Sequence, residues 1–373
     1  MLRENMAMLL LLGLSCTAAS AAPPATMREV RTTSLLGCKA PFTKCVETAT
    51  VATPAPGAGE VLVQIEGSSV NPSDVDTVQL GGCGKGCGND FAGTVVACPA
   101  AGCARLQVGD QVWGNGGPAF ADFVAAAESH TSLRPASIGA AAAGTLPEVG
   151  LTSLFGLKRT VGKPSDPMPG GNPWAGRANL TVVITSGSGG TGSLAIEIAK
   201  AYGAANIWVA ASGAAGAAFV RKLGATEVFD YKTQQGEILD ALPDDSVDVV
   251  YDNYGGDGSP AKAMRVLRSG GSYLLIPHGA CYVSKAQIYP CLALHPKAGV
   301  TQLNYDTGPD YAQYTVQGLD ELKAMVDAGR ITPTIDRTFA LNESAAAFNY
   351  SAGPGGGGVG DHIGKISITT STA

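Results

Sequence analysis

The stretch LTVVITSGSGGTGSLAIEIAKAY, residues 180–202, decides the fold. Its first six residues are apolar or β-branched without interruption, which is typical of a strand buried on both faces of a parallel sheet. A glycine-rich turn follows, and residues 193–202 then place Leu194, Ile198 and Ala199 on one face of a helix. The stretch therefore predicts a buried strand, a tight turn and a helix.

The glycine turn is a candidate binding site for the diphosphate of a dinucleotide. It has the spacing GxGxxG and consists of Gly187, Ser188, Gly189, Gly190, Thr191 and Gly192. Glycine lets backbone N–H groups approach a diphosphate, and the N-terminus of the following helix supplies positive potential. Glycine spacing alone is weak evidence in a chain with 50 glycines, and a structural turn without a ligand is the alternative. The strand before the turn and the helix after it favour binding.

The segments around this motif differ in character. Beyond it, strands are predicted at 207–211, 227–229, 247–251 and 272–276, and helices at 214–223 and 260–267. Such alternation predicts an α/β fold with a doubly wound parallel sheet. The first third is β-rich instead, with strands at 59–70, 91–97 and 119–125, the first ended by Asn71-Pro72. From residue 317 we expect a helix at 319–328, another near 344–348 and a final strand at 364–369.

Composition excludes several classes of function. The chain has 373 residues, enough for two domains, and 45% are hydrophobic, so it can bury a core. The net charge is −6 and no run of Lys or Arg occurs. We therefore expect no nucleic-acid partner, and no apolar stretch is long enough to span a membrane.

The N-terminus and the cysteines indicate the secretory pathway, with a secreted or lumenal protein. Arg3, the apolar residues 6–14 and Ala19-Ser20-Ala21 predict a signal peptide over residues 1–21, with a frayed or buried helix as the alternative. Eight cysteines remain, and local disulfide bonds are the simplest hypothesis: Cys38 with Cys45, Cys83 with Cys87, Cys98 with Cys103 and Cys281 with Cys291. Sequons at Asn179, Asn342 and Asn349 predict a glycoprotein.

A set of short motifs, in this order, resembles the medium-chain dehydrogenase/reductase superfamily. The motifs are NPSD at 71–74, DFAGTV at 90–95, GDQVWG at 109–114, GLTS at 150–153, the glycine turn, LGA at 223–225, DY at 230–231, DNYGG at 252–256 and GK at 364–365. The likeness is greatest to the zinc-free, quinone oxidoreductase-like branch. It implies a Rossmann NAD(P)-binding domain over residues 140–314, inserted in a GroES-like β-rich catalytic domain over residues 22–139 and 315–373.

The resemblance also implies a reaction and its site. Members of the branch transfer a hydride from NADPH to a small electrophile, a quinone or an α,β-unsaturated carbonyl, and are often homodimers. Asn71, Asp74 and Thr152 match catalytic residues lining the cleft, and Thr152 also approaches the nicotinamide. The other matches to cofactor-binding positions are Tyr231, Asn253, Pro277, His278, Gly279 and Lys365.

The cofactor is expected to be NADPH rather than NADH. No acidic residue follows the second strand of the dinucleotide domain, where Ser212 stands, so nothing there would hold a ribose hydroxyl and repel a 2′-phosphate. Arg221 and Lys222 further along the next helix are candidate phosphate ligands, although they could equally be a solvated helix face. The basic residue that relatives carry early in that helix is absent here, which counts against NADPH.

Departures from the superfamily pattern favour a metal-free enzyme. Zinc-dependent members carry Cys where Asn71-Pro72 stands and Gly-His-Glu where the segment at Asp90 stands, and neither Cys nor His occurs there. The four histidines show no ligand spacing with cysteine, and Cys83, Cys87, Cys98 and Cys103 are spaced wrongly for the structural zinc lobe. The tyrosine acid of enoyl-thioester reductases is missing from residues 79–83.

Two other functions remain as alternatives. A secreted, non-catalytic binding or structural protein could retain this fold, because a lumenal setting supplies little NADPH and a fold does not fix a function. A zinc alcohol dehydrogenase is the more distant alternative.

Overall fold

A computed structural model of the chain describes residues 22–34, 37–84, 86–162, 166–234, 237–256, 258–276, 295–304, 309–353 and 362–370. The predicted signal peptide lies outside these residues. So do Pro277, His278, Gly279 and the predicted pair Cys281 and Cys291.

Strands and helices occupy most of the described chain. The strands are β1 (Thr26–Thr32), β2 (Val46–Ala52), β3 (Glu60–Val70), β4 (Asp90–Ala97), β5 (Gln111–Asn115), β6 (Phe123–Ala127), β7 (Thr131–Leu133), β8 (Thr181–Ile184), β9 (Asn206–Ala211), β10 (Glu227–Asp230), β11 (Val247–Asp252), β12 (Leu267–Leu275), β13 (Thr301–Asn304), β14 (Ile335–Ala340) and β15 (Lys365–Thr369). The α-helices are α1 (Pro72–Leu80), α2 (Ala140–Ala143), α3 (Pro147–Arg159), α4 (Gly190–Ala201), α5 (Gly213–Leu223), α6 (Ile238–Ala241), α7 (Ser259–Val266), α8 (Pro309–Ala312), α9 (Thr315–Asp327) and α10 (Ser344–Ala352).

The middle of the chain forms a parallel sheet in the strand order β10-β9-β8-β11-β12-β13. Successive residues of β8 point to opposite faces, as strand geometry requires. Val182 and Ile184 join one core, with residues of α4 and α9, whereas Val183 joins a second core with residues of α6 and α7. The sheet is thus covered on both faces, which confirms the predicted doubly wound α/β fold.

The second sheet contains strands from both ends of the chain. Its order is β14-β15-β3-β4-β5-β7, with β6 also paired to β3, and only β14 and β15 run parallel. Since β14 and β15 follow the parallel sheet in the sequence, the chain leaves this β-rich domain and returns to it. The structure confirms the predicted insertion of one domain in the other.

The helix α1 was not predicted. Pro72 is its first residue, where proline is tolerated because the N–H it lacks would have no partner within the helix. Asn71 precedes it in an extended conformation, and its backbone N–H donates to Asp74 Oδ2 at 2.8 Å. The Asn-Pro pair therefore ends a strand, as expected, and also begins a helix.

The predicted strand at 119–125 begins later, at Phe123. The N–H groups of Ala119 and Phe120 instead donate to the carbonyl groups of Gly88 and Cys87, at 3.0 and 2.8 Å. These bonds tie the start of the segment to the loop before β4, and the residues up to Asp122 form only an isolated bridge to β1, between Ala121 and Glu29. The helix α4 begins earlier than predicted, at Gly190.

Packing shifts both predicted domain boundaries. A side chain at Gly67 of β3 would lie 2.4 Å from the carbonyl oxygen of Ala140, and Ser367 Oγ lies 3.3 Å from that of Ala141, so α2 belongs to the β-rich domain. Leu319 and Leu322 of α9 lie in the same core as α4. The chain therefore leaves the β-rich domain after residue 140. It returns to that domain after α9 rather than at residue 315.

Three of the predicted cysteine pairs are neighbours. The Cα atoms lie 6.1 Å apart for Cys38 and Cys45, 5.1 Å for Cys83 and Cys87, and 5.2 Å for Cys98 and Cys103. These separations suit disulfide bonds, which stay a prediction. No helix in the described ranges has the length and hydropathy needed to cross a membrane.

Candidate active site

The glycine turn between β8 and α4 is closely packed on one side and open on the other. A side chain at Gly187 would lie 2.1 Å from Val209 Cγ1, and one at Gly192 would lie 1.7 Å from the carbonyl oxygen of Ser186. A side chain at Gly189 would meet nothing within 4 Å. Two of the glycines are therefore required by packing, and the third faces a space in which a ligand can approach the backbone.

The N-terminus of α4 faces the same space. Its first intrahelical bond is donated by Ser193 N–H to Gly189 O at 3.0 Å. The N–H groups of Gly190, Thr191 and Gly192 precede that bond and have no acceptor within the helix. Together with the helix dipole they suit a diphosphate, so the residues present fit a dinucleotide cofactor.

Asn253 supports the turn from behind. Its Oδ1 accepts the N–H of Ser186 at 3.0 Å, and its Nδ2 donates to Ser186 O at 2.8 Å and to Thr191 Oγ1 at 3.2 Å. Asn253 is buried in these contacts. It was predicted to bind the cofactor, and the structure places it where it fixes the shape of the loop.

The glycine turn meets the β-rich domain through the Gly-Lys segment. Gly364 N–H donates to Ser188 O at 2.8 Å. A side chain at Gly190 would lie 2.7 Å from Lys365 Cδ and 3.0 Å from Val149 Cγ1. The predicted Lys365 and the first turn of α3 therefore lie directly beside the candidate diphosphate site.

Lys365 belongs to a carboxylate–lysine cluster, which consists of Asn71, Asp74, Asp90, Glu148 and Lys365. Four of these residues are buried, and Glu148 is partly exposed. Lys365 Nζ donates to Val70 O at 3.0 Å and to Asn71 Oδ1. Asn71 Nδ2 in turn donates to Asp90 Oδ2 at 2.8 Å. The predicted residues Asn71, Asp74 and Lys365 therefore come together.

Asp90 organises the cluster. It accepts hydrogen bonds from Ser69 Oγ at 2.8 Å, from Asn115 Nδ2 at 3.3 Å and from the backbone N–H of Glu148 at 2.7 Å, in addition to Asn71. The bond to Glu148 satisfies a first-turn N–H of α3, so Asp90 caps that helix from another strand. Thr152, a predicted catalytic residue, is buried one turn further along α3.

Burial and like charges perturb the acids of the cluster. The pKa of Asp74 lies well above its usual value because the carboxyl is buried and lies near Glu148 and Asp90. Burial also raises the pKa of Glu148, with Asp90 adding to the effect. Burial lowers the pKa of Lys365 against the opposing effect of the carboxylates. One ammonium faces three carboxyls, so burial and like charge favour the protonated forms of Asp74 and Glu148.

A cavity of about 270 Å³ lies beside this cluster in the β-rich domain. Its lining includes Asp74, Thr77, Asn89, Cys87 and Pro118. The cavity brings two polar side chains, Asp74 and Asn89, to a concave surface large enough for a small molecule.

The adenosine side of the candidate cofactor site corrects one prediction. Ser212 lies at the carboxyl end of β9, and Tyr231 follows β10 with 49% of its surface exposed. Arg221 and Lys222 lie in the last turn of α5, where Gly224 contacts Lys200 at the far end of α4. They are therefore at the edge of the sheet opposite the glycine turn and cannot hold a cofactor phosphate there.

Sequence analysis missed several residues of this region. Asp90 is the first residue of the DFAG motif, and Glu148 lies four positions before Thr152. Their closeness to recognised motifs was the signal in the sequence that could have identified them. Lys232 directly follows Tyr231, and its Cδ would lie 3.8 Å from a side chain at Gly213. It is the base that the structure places beside Ser212.

Family comparisons agree with this architecture. Residues 57–153 match the family described as alcohol dehydrogenase GroES-like domain, and residues 223–366 match the family described as zinc-binding dehydrogenase. Together they cover the carboxylate–lysine cluster and most of the β-rich sheet, whereas β8, the glycine turn and β9 lie between the two matched ranges. The chain belongs to the medium-chain dehydrogenase/reductase superfamily, in its quinone oxidoreductase-like branch.

Individual relatives support an NAD(P)H-dependent oxidoreductase. The mouse mitochondrial NAD(P)H oxidoreductase RTN4IP1 is 29% identical over 331 residues, covering 78% of each chain. The chloroplast envelope quinone oxidoreductase homolog of Arabidopsis thaliana is 36% identical over 204 residues, covering 51% of this chain and 57% of the relative. The solved quinone oxidoreductase of Coxiella burnetii superposes with a TM-score of 0.72 at 23% identity, over 93% of this chain and all of the other, which supports the fold.

One of these family descriptions mentions zinc. Within the described ranges, no group of three or more His, Cys, Asp or Glu side chains is arranged to hold a metal ion. The positions at which the sequence departs from zinc-dependent members carry Asn71 and Asp90, whose side chains are used in the hydrogen bonds of the cluster.

Filling the space at Gly189 should weaken dinucleotide binding without unfolding the protein. Both φ and ψ at Gly189 are acceptable to any residue, and nothing lies within 4 Å of the new side chain. We expect Gly189→Val to raise the dissociation constant for NAD(P)H at least about tenfold, because the side chain occupies the diphosphate site. Fluorescence titration of the reduced cofactor measures this.

Gly139→Val is the matched control for this prediction. Gly139 also has an extended conformation and open space around it, but it precedes α2, away from the turn. Both variants should melt close to the wild type, and only the change at Gly189 should affect binding. Equal affinities in the two variants would contradict the assignment of the turn.

Proposed function

We propose that the chain is a metal-free, NADPH-dependent reductase that transfers a hydride to a quinone or an α,β-unsaturated carbonyl. The observation that carries this proposal is the meeting of three parts at Lys365: the open glycine turn, the first turn of α3 and the carboxylate–lysine cluster beside the cavity. A cofactor whose diphosphate lies on the turn would extend its nicotinamide toward this junction.

The residues of the site have distinct tasks in such a reaction. When bound, the reduced nicotinamide supplies the hydride. The N–H groups at the start of α4 bind the diphosphate, while Asn71, Asp90 and Lys365 hold the cleft in one geometry through bonds that are shielded from water. Asp74 and Asn89 present polar groups to a substrate oxygen in the cavity.

The chemistry of the donors supports a metal-free site. The cleft presents amides and carboxylates where zinc-dependent members present cysteine and histidine, and zinc in proteins prefers those sulfur and nitrogen ligands.

A quinone is itself an α,β-unsaturated carbonyl compound, so a cavity that accepts one of these substrate classes offers the same contacts to the other.

The proposal is tested with purified protein, benzoquinone and cyclohexenone. We expect NADPH oxidation with at least one of the two, undiminished by a chelator and without stoichiometric zinc in elemental analysis. Activity that is lost with the chelator and restored by zinc would overturn the metal-free mechanism. Tight NADPH binding without turnover of either compound would support the non-catalytic alternative, which the scarcity of NADPH in a secretory lumen favours.

The preference for NADPH is supported by Lys232 rather than by Arg221 and Lys222. Lys232 runs beside Gly213 at the carboxyl end of β9, where the adenosine ribose binds in this type of fold. Asp230 holds the backbone there, accepting the N–H of Gly213 at 2.8 Å and that of Lys232 at 3.0 Å. The lysine therefore supplies the positive charge that the first turn of α5 lacks.

Charge reversal at Lys232 should reduce the discrimination between the two cofactors. We expect Lys232→Glu to weaken NADPH binding about tenfold or more and to leave NADH binding nearly unchanged, because only NADPH carries the 2′-phosphate. The dissociation constants of both cofactors measure this. Lys222→Glu is the matched control and should preserve the ratio; a ratio unaffected by the change at Lys232 would refute this assignment.

We further propose that the protein enters the secretory pathway, carries local disulfide bonds and N-glycans, and forms a homodimer. The leader-like N-terminus, the neighbouring cysteines and the family resemblance support these statements. Peptide mapping of protein recovered from the medium of secreting cells should find residues 1–21 removed and the cysteines protected from alkylation until they are reduced. Retention of the leader in a cell-associated protein would contradict secretion.

A further inference from the structure

A hydroxyl and a carboxyl are held together next to two residues that line the cavity, Asp74 and Asn89. Ser73 Oγ and Glu148 Oε1 lie 2.5 Å apart, Ser73 in the first turn of α1 and Glu148 in the first turn of α3. The starts of both helices are anchored on Asp90, which bonds the Asn71 side chain before α1 and the Glu148 N–H in α3. The contact is therefore a consequence of how the two helices begin.

This pair lies between the cavity and the cofactor loop. The side chain of Asn89, which lines the cavity, lies against the Glu148 carboxyl. On the other side, the residue after Glu148, Val149, lies against the glycine turn at Gly190. Ser73 and Glu148 are both partly exposed as residues, although the Glu148 Oε2 atom itself is buried.

The surroundings of Glu148 favour its neutral form. Its Oε2 atom is buried and has no hydrogen-bond partner among the described residues. Asp90 and Asp74 face it from β4 and α1. The pKa of Glu148 is raised by burial first and by Asp90 second, and these effects exceed the lowering by the hydrogen bonds of Ser73 and Asn89 and by the charge of Lys365 on β15. A raised pKa favours the protonated carboxyl, and a protonated carboxyl can donate a proton.

We propose that Ser73 and Glu148 form a proton relay that protonates the substrate oxygen after hydride addition. This inference rests on the proposed function and names the acid that the sequence did not reveal. Ser73 is the group that touches the substrate, and Glu148 acts through it.

The step balances in atoms and electrons. The hydride forms a C–H bond at the electron-poor carbon of the enone, and the π electrons of the double bond move onto the carbonyl oxygen. Ser73 donates its hydroxyl proton to that oxygen as it accepts the proton of Glu148 Oε1. The resulting enol becomes the ketone in water, and Glu148 regains a proton from solvent.

The two substrate classes should depend on this relay to different degrees. Hydride addition to a quinone gives a phenol-type oxygen, whose conjugate acid has a pKa of about 10, and water can protonate it after the product leaves. The enolate from an enone lacks the aromatic stabilisation of the quinone product, so its formation benefits more from an acid already in place. A comparison of the two substrates within one variant therefore isolates the proton transfer.

The test measures turnover of cyclohexenone and benzoquinone by Glu148→Gln, Ser73→Ala and Ser73→Thr. With cyclohexenone we expect kcat to fall about 10²-fold in the first two variants and to recover in Ser73→Thr, which keeps the hydroxyl. With benzoquinone the loss should be several times smaller. NADPH affinity should be unchanged, because neither side chain belongs to the glycine turn.

The pH profile provides a readout that a structural role would not change. In the wild type, kcat for cyclohexenone should fall as the pH rises through the raised pKa of Glu148, since the protonated form is the active one. Glu148→Gln should lack this decline.

Glu197→Gln is the matched control for the carboxyl. Glu197 is buried on α4, and its Oε1 accepts a hydrogen bond from Thr332 N–H at 3.1 Å. Its Oε2 is buried without a hydrogen-bond partner among the described residues, and burial raises the pKa of the carboxyl to about 7. It lies outside the cluster, so its variant should keep the pH profile and both turnover rates of the wild type.

The outcomes separate this inference from the proposed function. Equal losses for the two substrates, or a pH decline that persists in Glu148→Gln, would overturn the relay. If Glu148→Gln does not fold, the comparison of Ser73→Ala with Ser73→Thr decides the question, since equal rates with cyclohexenone in those two variants would overturn it as well. A wild type that reduces neither compound would instead count against the proposed function.

Discussion

The hydrogen bonds accepted by Asp90 are the constraint on which the site depends. This one buried carboxylate joins strand β4 to the side chain before α1 and to the first turn of α3. Through Asn71 it also positions Lys365, and Lys365 is adjacent in sequence to the residue that bonds the glycine turn. Segments from four distant parts of the chain therefore depend on one acceptor, and the cleft has a single geometry because that acceptor is shared.

Burying such a cluster is costly, and this cost suggests a functional purpose. Moving a carboxylate out of water costs several kcal/mol unless hydrogen bonds and an opposite charge offset it, and apolar residues of similar size would often be as stable. Asp90 is offset in this way, whereas Asp74 and Glu148 share a single ammonium, and burial raises the pKa of both carboxyls. Groups with perturbed pKa values beside a cavity are frequent at active sites. A hydride transfer that must be followed by protonation gives these carboxyls a use.

The fold could be predicted from the sequence because its signals are local. The run at 180–185 and the glycines after it determine their own strand and turn, and close packing at Gly187 and Gly192 shows why no other residue serves there. The site was predictable only where a motif carried it, as for Asn71, Asp74 and Lys365. Glu148 and Ser73 meet through two helix starts that are 75 positions apart, and no periodicity within either segment reports that distance.

The errors have the same origin. Arg221 and Lys222 have suitable charge and follow the correct strand, but α5 carries them to the far edge of the sheet, whereas Lys232 reaches the near edge from the next strand. Which basic side chain can contact the cofactor phosphate is decided by its position on the helix rather than by its distance along the chain. Similarly, Asn71-Pro72 both ends strand β3 and begins helix α1. The end of the strand was predictable from the proline, whereas the start of the helix also depends on the hydrogen bonds of Asn71 with residues distant in sequence.

The wall of the cavity shows why the acceptor cannot be named from motifs. A side chain at Gly86 would lie 2.3 Å from Pro118 Cβ, one at Gly88 would lie 2.3 Å from the ring of Phe120, and one at Gly117 would lie 2.0 Å from Gly88 O. The glycine backbone of the wall therefore packs closely against Pro118, Phe120 and Gly88, and Cys83 and Cys87 also line the cavity. The glycine-rich part of the wall limits substrates by shape, in addition to the polar contacts offered by Asp74 and Asn89. Its specificity is a property of the loop's path through space, which depends on contacts with a segment 30 residues later and is not encoded in any short pattern.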